Sequence, residues 1–110
     1  MSKRSKACEF PRDVRERIEE RDGGCIFCKM GYKPDPEDGP KFYGIMHLVG
    51  RAQGGLGVEE NGAVGCQWHH NLLDNGNGGE RQYMRSLFID YLKMYYEDWN
   101  IDDLYYKKWR

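Results

Sequence analysis

Cys25-Ile26-Phe27-Cys28 and Cys66-Gln67-Trp68-His69 are two half-sites of the form C-x-x-[C/H], set apart by a stretch as long as a small domain core. Each half-site can present two donors from one knuckle of backbone, and two knuckles complete a tetrahedral set. Zn²⁺ suits three thiolates and an imidazole, because its filled d shell tolerates mixed sulfur and nitrogen ligation without redox chemistry. A redox-active C-x-x-C and a disulfide pair are the competing chemistries. The first would need a βαβ context that is absent here, and the second an oxidising compartment. Cys8 has no partner motif and reads as an ordinary thiol.

Elements must deliver these donors to one place. From Pro11 to Asp22 the chain reads as a short charged helix, with Pro11 at an N1-like position, Val14 and Ile18 one turn apart and Gly23-Gly24 as the stop. It hands the chain to Cys25. Residues 31–40 hold three of the four prolines and predict a loop. Phe42 to Val49 has strand composition and runs into the glycine-rich stretch from Gly50 to Gly57. A second strand is expected around Ala63-Val64-Gly65, leading into Cys66, and a short helix from Gln67 to Leu73, closed by a turn from Asp74 to Gly79. Beyond it Met84, Leu87, Phe88, Tyr91, Leu92 and Tyr95 recur at steps of three and four, the mark of an amphipathic helix. Asp98-Trp99-Asn100 breaks that helix, and Ile101 to Trp109 predicts a further short one. The pattern is a small α+β unit of helix, two strands and helix, followed by a helical tail. With 110 residues, a single domain over 1–110 is expected.

The bulk composition narrows the classes. Charged residues make up 32% of the chain and no apolar run is long enough to span a bilayer, which excludes a membrane protein. The basic Met1 to Lys6 segment is not followed by an apolar stretch, so export is not expected; the cysteines read as thiols and the location as cytoplasmic. The formal net charge of -1 hides an asymmetry. Residues 1–34 carry nine Lys/Arg against six Asp/Glu, residues 35–80 two against seven, and residues 81–110 six against five. If the acidic middle acts on a polyanion, it needs a bound cation, and phosphate-binding charge must come from the flanks.

With the cysteine frame in place, His47, Asn61 and His70 gain meaning from their order. The segment from Met46-His47-Leu48-Val49-Gly50-Arg51 through Glu60-Asn61-Gly62 to Cys66-Gln67-Trp68-His69-His70-Asn71-Leu72-Leu73-Asp74 resembles the HNH endonuclease family, particularly its small stand-alone phage and prophage members. The resemblance covers roughly residues 10 to 76 and includes Arg21-Asp22-Gly23-Gly24-Cys25 before the first knuckle. It implies a ββα-metal (His-Me finger) core over about 10–76, with a helical tail over about 80–109. It implies His47 at the end of the first strand as the general base that activates water, Asn61 holding the His47 loop and fixing the imidazole, and His70 on the following helix. It also divides the adjacent histidines, His69 to structural zinc with Cys25, Cys28 and Cys66, and His70 to a catalytic divalent ion such as Mg²⁺ or Mn²⁺. Asp74, one helical turn on, shares the face of His70 and could ligate the same ion. Family members commonly supply a further ligand just before the catalytic histidine, whereas this chain has Met46, a poor ligand for a hard cation.

The resemblance implies a DNA endonuclease or nickase, with DNA as partner and recruitment by a phage terminase or another DNA-packaging protein. Arg51 is a candidate clamp on the scissile phosphate, or else a solvated arginine on a loop. Gly54-Gly55 is expected to let the backbone approach DNA closely. Of the tail aromatics, Tyr91, Tyr95 and Tyr96 are expected in the core, while Trp99, Tyr105, Tyr106 and Trp109 could stack on bases. Lys107, Lys108 and Arg110 could touch phosphate or stay solvated. A zinc module that binds without cutting is the second functional class, motivated by Met46; a thiol oxidoreductase is the third.

Overall fold

The computed structural model describes residues 2–36 and 42–108. The expected residues Trp109 and Arg110, and part of the proline-rich loop, lie outside the described residues.

Helix α1, Lys3–Ala7, was not foreseen from the sequence; Ser2 caps it by accepting from the Ser5 N–H. Helix α2 covers Arg12–Asp22, with Pro11 as its extended N-cap rather than its first helical residue. Gly23 ends it at φ 63°, a left-handed conformation glycine adopts without strain. Val14, Ile18 and Asp22 lie four apart on the buried face of α2. Val14 and Ile18 pack with Val64, Phe10 and Ile45. Asp22 continues the same stripe as a buried acid whose carboxylate is met by donors from three residues. It accepts from the Val64 N–H at 2.8 Å, the Tyr91 hydroxyl at 2.6 Å and the Arg21 guanidinium at 2.7 and 3.0 Å.

Helix α3, Ile26–Met30, is the turn of the first half-site: the Cys25 thiol accepts from the Cys28 N–H, and Gly31 stops the helix at φ 73°. Strands β1, Tyr43–His47, and β2, Gly62–Cys66, form an antiparallel pair in which Ile45 faces Val64, Met46 faces Ala63 and His47 faces Gly62. Since side chains alternate across a strand, His47 and Ile45 share one face and Met46 takes the other. Met46 is fully buried, and a Cβ on Gly65 would collide with its sulfur at 2.4 Å.

Helix α4 runs Gln67–Asn75, two residues past its expected end, so Asp74 is helical. Helix α5, Gly79–Tyr95, buries Met84, Phe88, Tyr91 and Leu92 at the expected spacing. Tyr95 departs from expectation, at 47% exposed, because it flanks Tyr91 on the outer side of that stripe. The expected helix over Ile101 to Trp109 is a single 3₁₀ turn, Ile101–Leu104, after which Tyr105 pairs with Gly55 as an isolated bridge. The fold is a small α+β arrangement with a two-stranded antiparallel sheet, and among the described residues no helix is long and apolar enough to cross a membrane.

The glycine-rich segment is strapped from both sides. Its Gly57 N–H donates to the Ala7 carbonyl, and Arg4 donates to the Ala52 carbonyl. From the tail, the Tyr106 N–H donates to the Gly54 carbonyl, and Leu104 accepts from the Leu56 N–H. The expectation that Gly54-Gly55 opens the backbone to DNA is corrected by the packing. A Cβ on Gly55 would lie 1.7 Å from the Val49 carbonyl oxygen, so that glycine serves a close approach within the chain. Gly54 sits at φ 84°, the left-handed end of the Arg51–Gln53 turn.

Candidate functional site

The end of α2, the turn of α3 and the β2–α4 junction bring Cys25, Cys28, Cys66 and His69 together, with all four donor atoms within 4.8 Å of one another. The Cys28 and Cys66 sulfurs are 3.7 Å apart, and His69 Nδ1 lies 3.5, 3.5 and 3.2 Å from the sulfurs of Cys25, Cys28 and Cys66. A tetrahedron with Zn–S near 2.3 Å and Zn–N near 2.0 Å has edges of about 3.8 Å between sulfurs and about 3.5 Å between sulfur and nitrogen. The donor set therefore fits a metal ion such as zinc. His69 is fully buried, and its Nε2 donates to the Tyr32 carbonyl at 2.5 Å. A carbonyl can only accept, so that bond fixes the proton on Nε2 and leaves the Nδ1 lone pair facing the sulfurs. Burial pushes the Cys28 thiol up to about 12, and the neighbouring Cys25 and Cys66 push the same way. A thiol raised so far becomes a thiolate beside a cation, not without one. Cys8 stands apart as a buried thiol.

His47 ends β1 and is half-buried against Phe10, whose ring centroid lies 4.2 Å from its own. Its Nε2 is 3.0 Å from the Cys8 carbonyl, which again only accepts. The neutral ring therefore carries its proton on Nε2 and keeps Nδ1 as the basic nitrogen. Burial lowers the His47 pKa below 6.5; the Cys8 hydrogen bond works against that, and the charges of Arg51 and His70 reinforce it. Neutral imidazole is thus the favoured form near pH 7.

Asn61 is fully buried at the end of the 3₁₀ turn Glu59–Asn61, just before β2, and pins the segment after His47. Its Oδ1 accepts from the Val49 N–H at 2.8 Å, and its Nδ2 donates to the carbonyls of Val49 and Leu56 at 3.1 and 2.8 Å. The expected bond from Asn61 to the imidazole is not what orients the ring. Cys8 and Phe10 do that, and neither carries a sequence signal for it.

His47, Arg51, His70 and Asp74 line one cavity of about 170 Å³. His70 Nε2 and Asp74 Oδ2 are 3.4 Å apart across one turn of α4. Arg51 is exposed and donates to the Ser5 carbonyl at 3.3 Å, so it sits on a tethered turn rather than a free loop. Met46 contributes nothing to the cavity, since it lies on the core face of β1. Arg81 and Arg85 of α5 line the same cavity; sequence reading passed over both, and their spacing of four on the helix that follows α4 was the available signal.

A larger cavity, about 590 Å³, lies between the tail and the Glu59–Asn61 turn, but Glu60, Glu97, Asp98 and Asp103 line it, which is the wrong sign for a polyanion. Of the tail residues proposed to meet nucleic acid, Trp99 donates instead to the Glu60 carbonyl, Tyr105 and Tyr106 are half-buried, and Lys107 and Lys108 are exposed. No known family model matches the chain, and neither do curated proteins or solved structures.

Proposed function

We propose that this chain is a metal-dependent DNA endonuclease or nickase of the ββα-metal type. The observation that carries the reading is His47. It is an imidazole held neutral by burial, protonated on Nε2 by its bond to Cys8, and placed in a cavity with His70, Asp74 and Arg51. Each group has a task in hydrolysing a phosphodiester. His47 Nδ1 takes a proton from water as the water oxygen bonds to phosphorus and one P–O ester bond breaks, and the leaving oxygen is protonated from solvent. Asn61 holds the backbone that follows His47, and Arg51 pairs with a phosphate oxygen.

His70 and Asp74 would hold a divalent cation such as Mg²⁺ or Mn²⁺. Adjacent ligands at about 2.1 Å in an octahedron lie about 3.0 Å apart, so their 3.4 Å separation closes with a small side-chain shift. When bound, such an ion offsets charge on the phosphate and on the leaving oxygen. With Met46 in the core, waters and phosphate would have to supply the ion's remaining ligands. The Cys25, Cys28, Cys66 and His69 set would hold structural zinc, with no position left for substrate. Recruitment by a phage terminase or other DNA-packaging partner belongs to the same proposal, since a net charge of -1 gives little affinity for DNA by itself.

The test is supercoiled plasmid incubated with the zinc-loaded protein and Mg²⁺ or Mn²⁺. Wild type nicks the plasmid only with the added ion, and His47→Ala abolishes the nicking. A wild type that leaves plasmid intact while binding DNA favours instead the zinc module that does not cut, which the core placement of Met46 motivates. Undiminished nicking by His47→Ala removes His47 as the base.

A further inference from the structure

Arg85 carries a cost that no partner among the described residues offsets. Its Nε is buried and has no hydrogen-bond partner among the described residues. A buried donor left unpaired is expensive, and native structures retain one only where something else meets it. Arg85 stands one turn from Arg81 on α5, and the two arginines line two cavities at once. One is the His47 cavity; the other, about 480 Å³, opens beside it and shares Leu48 and Gly50 with it as well. Among the described residues no acid lines the second cavity. Besides the two arginines, its polar lining is Gln53, Gln82, Tyr105 and the backbone at Gly50, Gly76 and Gly78. Its volume falls within the roughly 300–1,000 Å³ of ordinary ligand sites.

We propose that this second cavity is a sugar-phosphate subsite, in which Arg81 and Arg85 grip the phosphodiester next to the one cut and Gln53 and Gln82 meet the deoxyribose it carries. The inference rests on the endonuclease reading, which makes the His47 cavity the place of the scissile phosphate. Planar guanidinium forks match phosphate oxygens in pairs, and a rotation of the half-buried Arg85 side chain toward the cavity gives its Nε the acceptor it lacks. Continuity of the two cavities sets the order along the strand: scissile phosphate between His47 and Arg51, neighbouring phosphate between Arg81 and Arg85. Residues 81–110 thereby supply part of the cationic flank that an acidic middle requires.

The experiment is fluorescence anisotropy with a short labelled DNA duplex and zinc-loaded protein, over a salt series, with no Mg²⁺ or Mn²⁺ added so that nothing is cut. Arg81→Gln and Arg85→Gln are each expected to weaken binding about tenfold and to reduce the slope of log affinity against log salt by about one. Gln82→Trp, which fills the cavity without changing charge, is expected to weaken binding with the slope unchanged. Lys93→Gln, about 12 Å farther along α5, removes a charge away from the cavity and leaves both quantities unchanged. Zinc content and melting temperature establish that each variant is folded. If Arg85→Gln fails that check, the exposed Arg81 and the charge-keeping Arg85→Lys carry the test, the latter losing affinity without loss of slope.

Folded arginine variants that bind like wild type overturn the proposal. So does a Lys93→Gln loss as large as theirs, because the effect is then one of total charge. The two readings fail separately. A wild type that nicks plasmid while the arginine variants bind and cut normally loses only the subsite. A wild type that binds through Arg81 and Arg85 yet never cuts keeps the anion site and loses the endonuclease.

Discussion

His69 and His70 are neighbours on α4, yet they belong to opposite kinds of site. His69 is fully buried, hydrogen-bonded on one nitrogen and surrounded by three sulfurs on the other, a closed set of four donors. His70 is half-exposed in a cavity, with a single carboxylate 3.4 Å away. Successive helical residues point about 100° apart, and that rotation alone carries the chain from one environment to the other. The contrast separates holding from exchanging: a complete tetrahedron has no room for another molecule, whereas an open pair leaves positions that water or phosphate can take.

The sharpest way to break this contrast is to remove one histidine at a time. His69→Ala should lose zinc and with it the cooperative thermal transition, because metal affinity in such closed sites is folding energy, apparent values being about 10 kcal/mol or more. His70→Ala should keep zinc and melt near wild type while losing any divalent-dependent cleavage. Elemental analysis and calorimetry on the two proteins decide it, and equal zinc loss in both would end the division.

A smaller effect is expected at Asn61. Asn61→Ala strands the Val49 N–H and leaves the carbonyls of Val49 and Leu56 without their donor, at about 1–3 kcal/mol for a buried group of this kind. Denaturant unfolding should show that loss, and zinc content should not change. Asn61→Asp is the finer probe. It keeps an acceptor for Val49 N–H but sets an oxygen against the carbonyls of Val49 and Leu56, so it should destabilise although the shape is preserved.

The smallest effect is electrostatic. In protein without added Mg²⁺ or Mn²⁺, an NMR titration should place His47 below its ordinary 6.5, since burial lowers it. Arg51→Gln should move it back upward by removing one of the charges that lower it. The sign for stability follows: a histidine depressed in the fold contributes fully above pH 6.5, and that contribution is lost as pH falls through the depressed value. A His47 titrating above 6.5 would contradict the burial seen here.

How much of this was legible beforehand divides along a physical line. The two half-sites, the first strand and most of the α5 stripe are written in local spacing, although the strand closes at His47, short of Val49, and Tyr95 falls outside the buried stripe. What escaped depends on partners distant in sequence. Asp22 reads as the polar end of a charged helix until Val64 and Tyr91 arrive as donors from 42 and 69 residues away. The stripe Val14, Ile18, Asp22 was nevertheless a clue, because an acid in line with an apolar face must be satisfied or unfold it. Gly55 carries no hint that Val49 will press on it, and the tail's 3₁₀ turn depends on strapping to residues 54–56 that no periodicity records.

That strapping also orders events in time. The bond from Gly57 to Ala7 reaches back fifty positions, and the bond from Tyr106 to Gly54 reaches forward fifty-two. Contacts so far apart form late, and the forward one waits until residue 106 has been synthesised. The four donors are complete once His69 has been made, whereas the strap on the segment after Arg51 still waits for residue 106. The rim of the His47 cavity is then the last part of the chain to become itself.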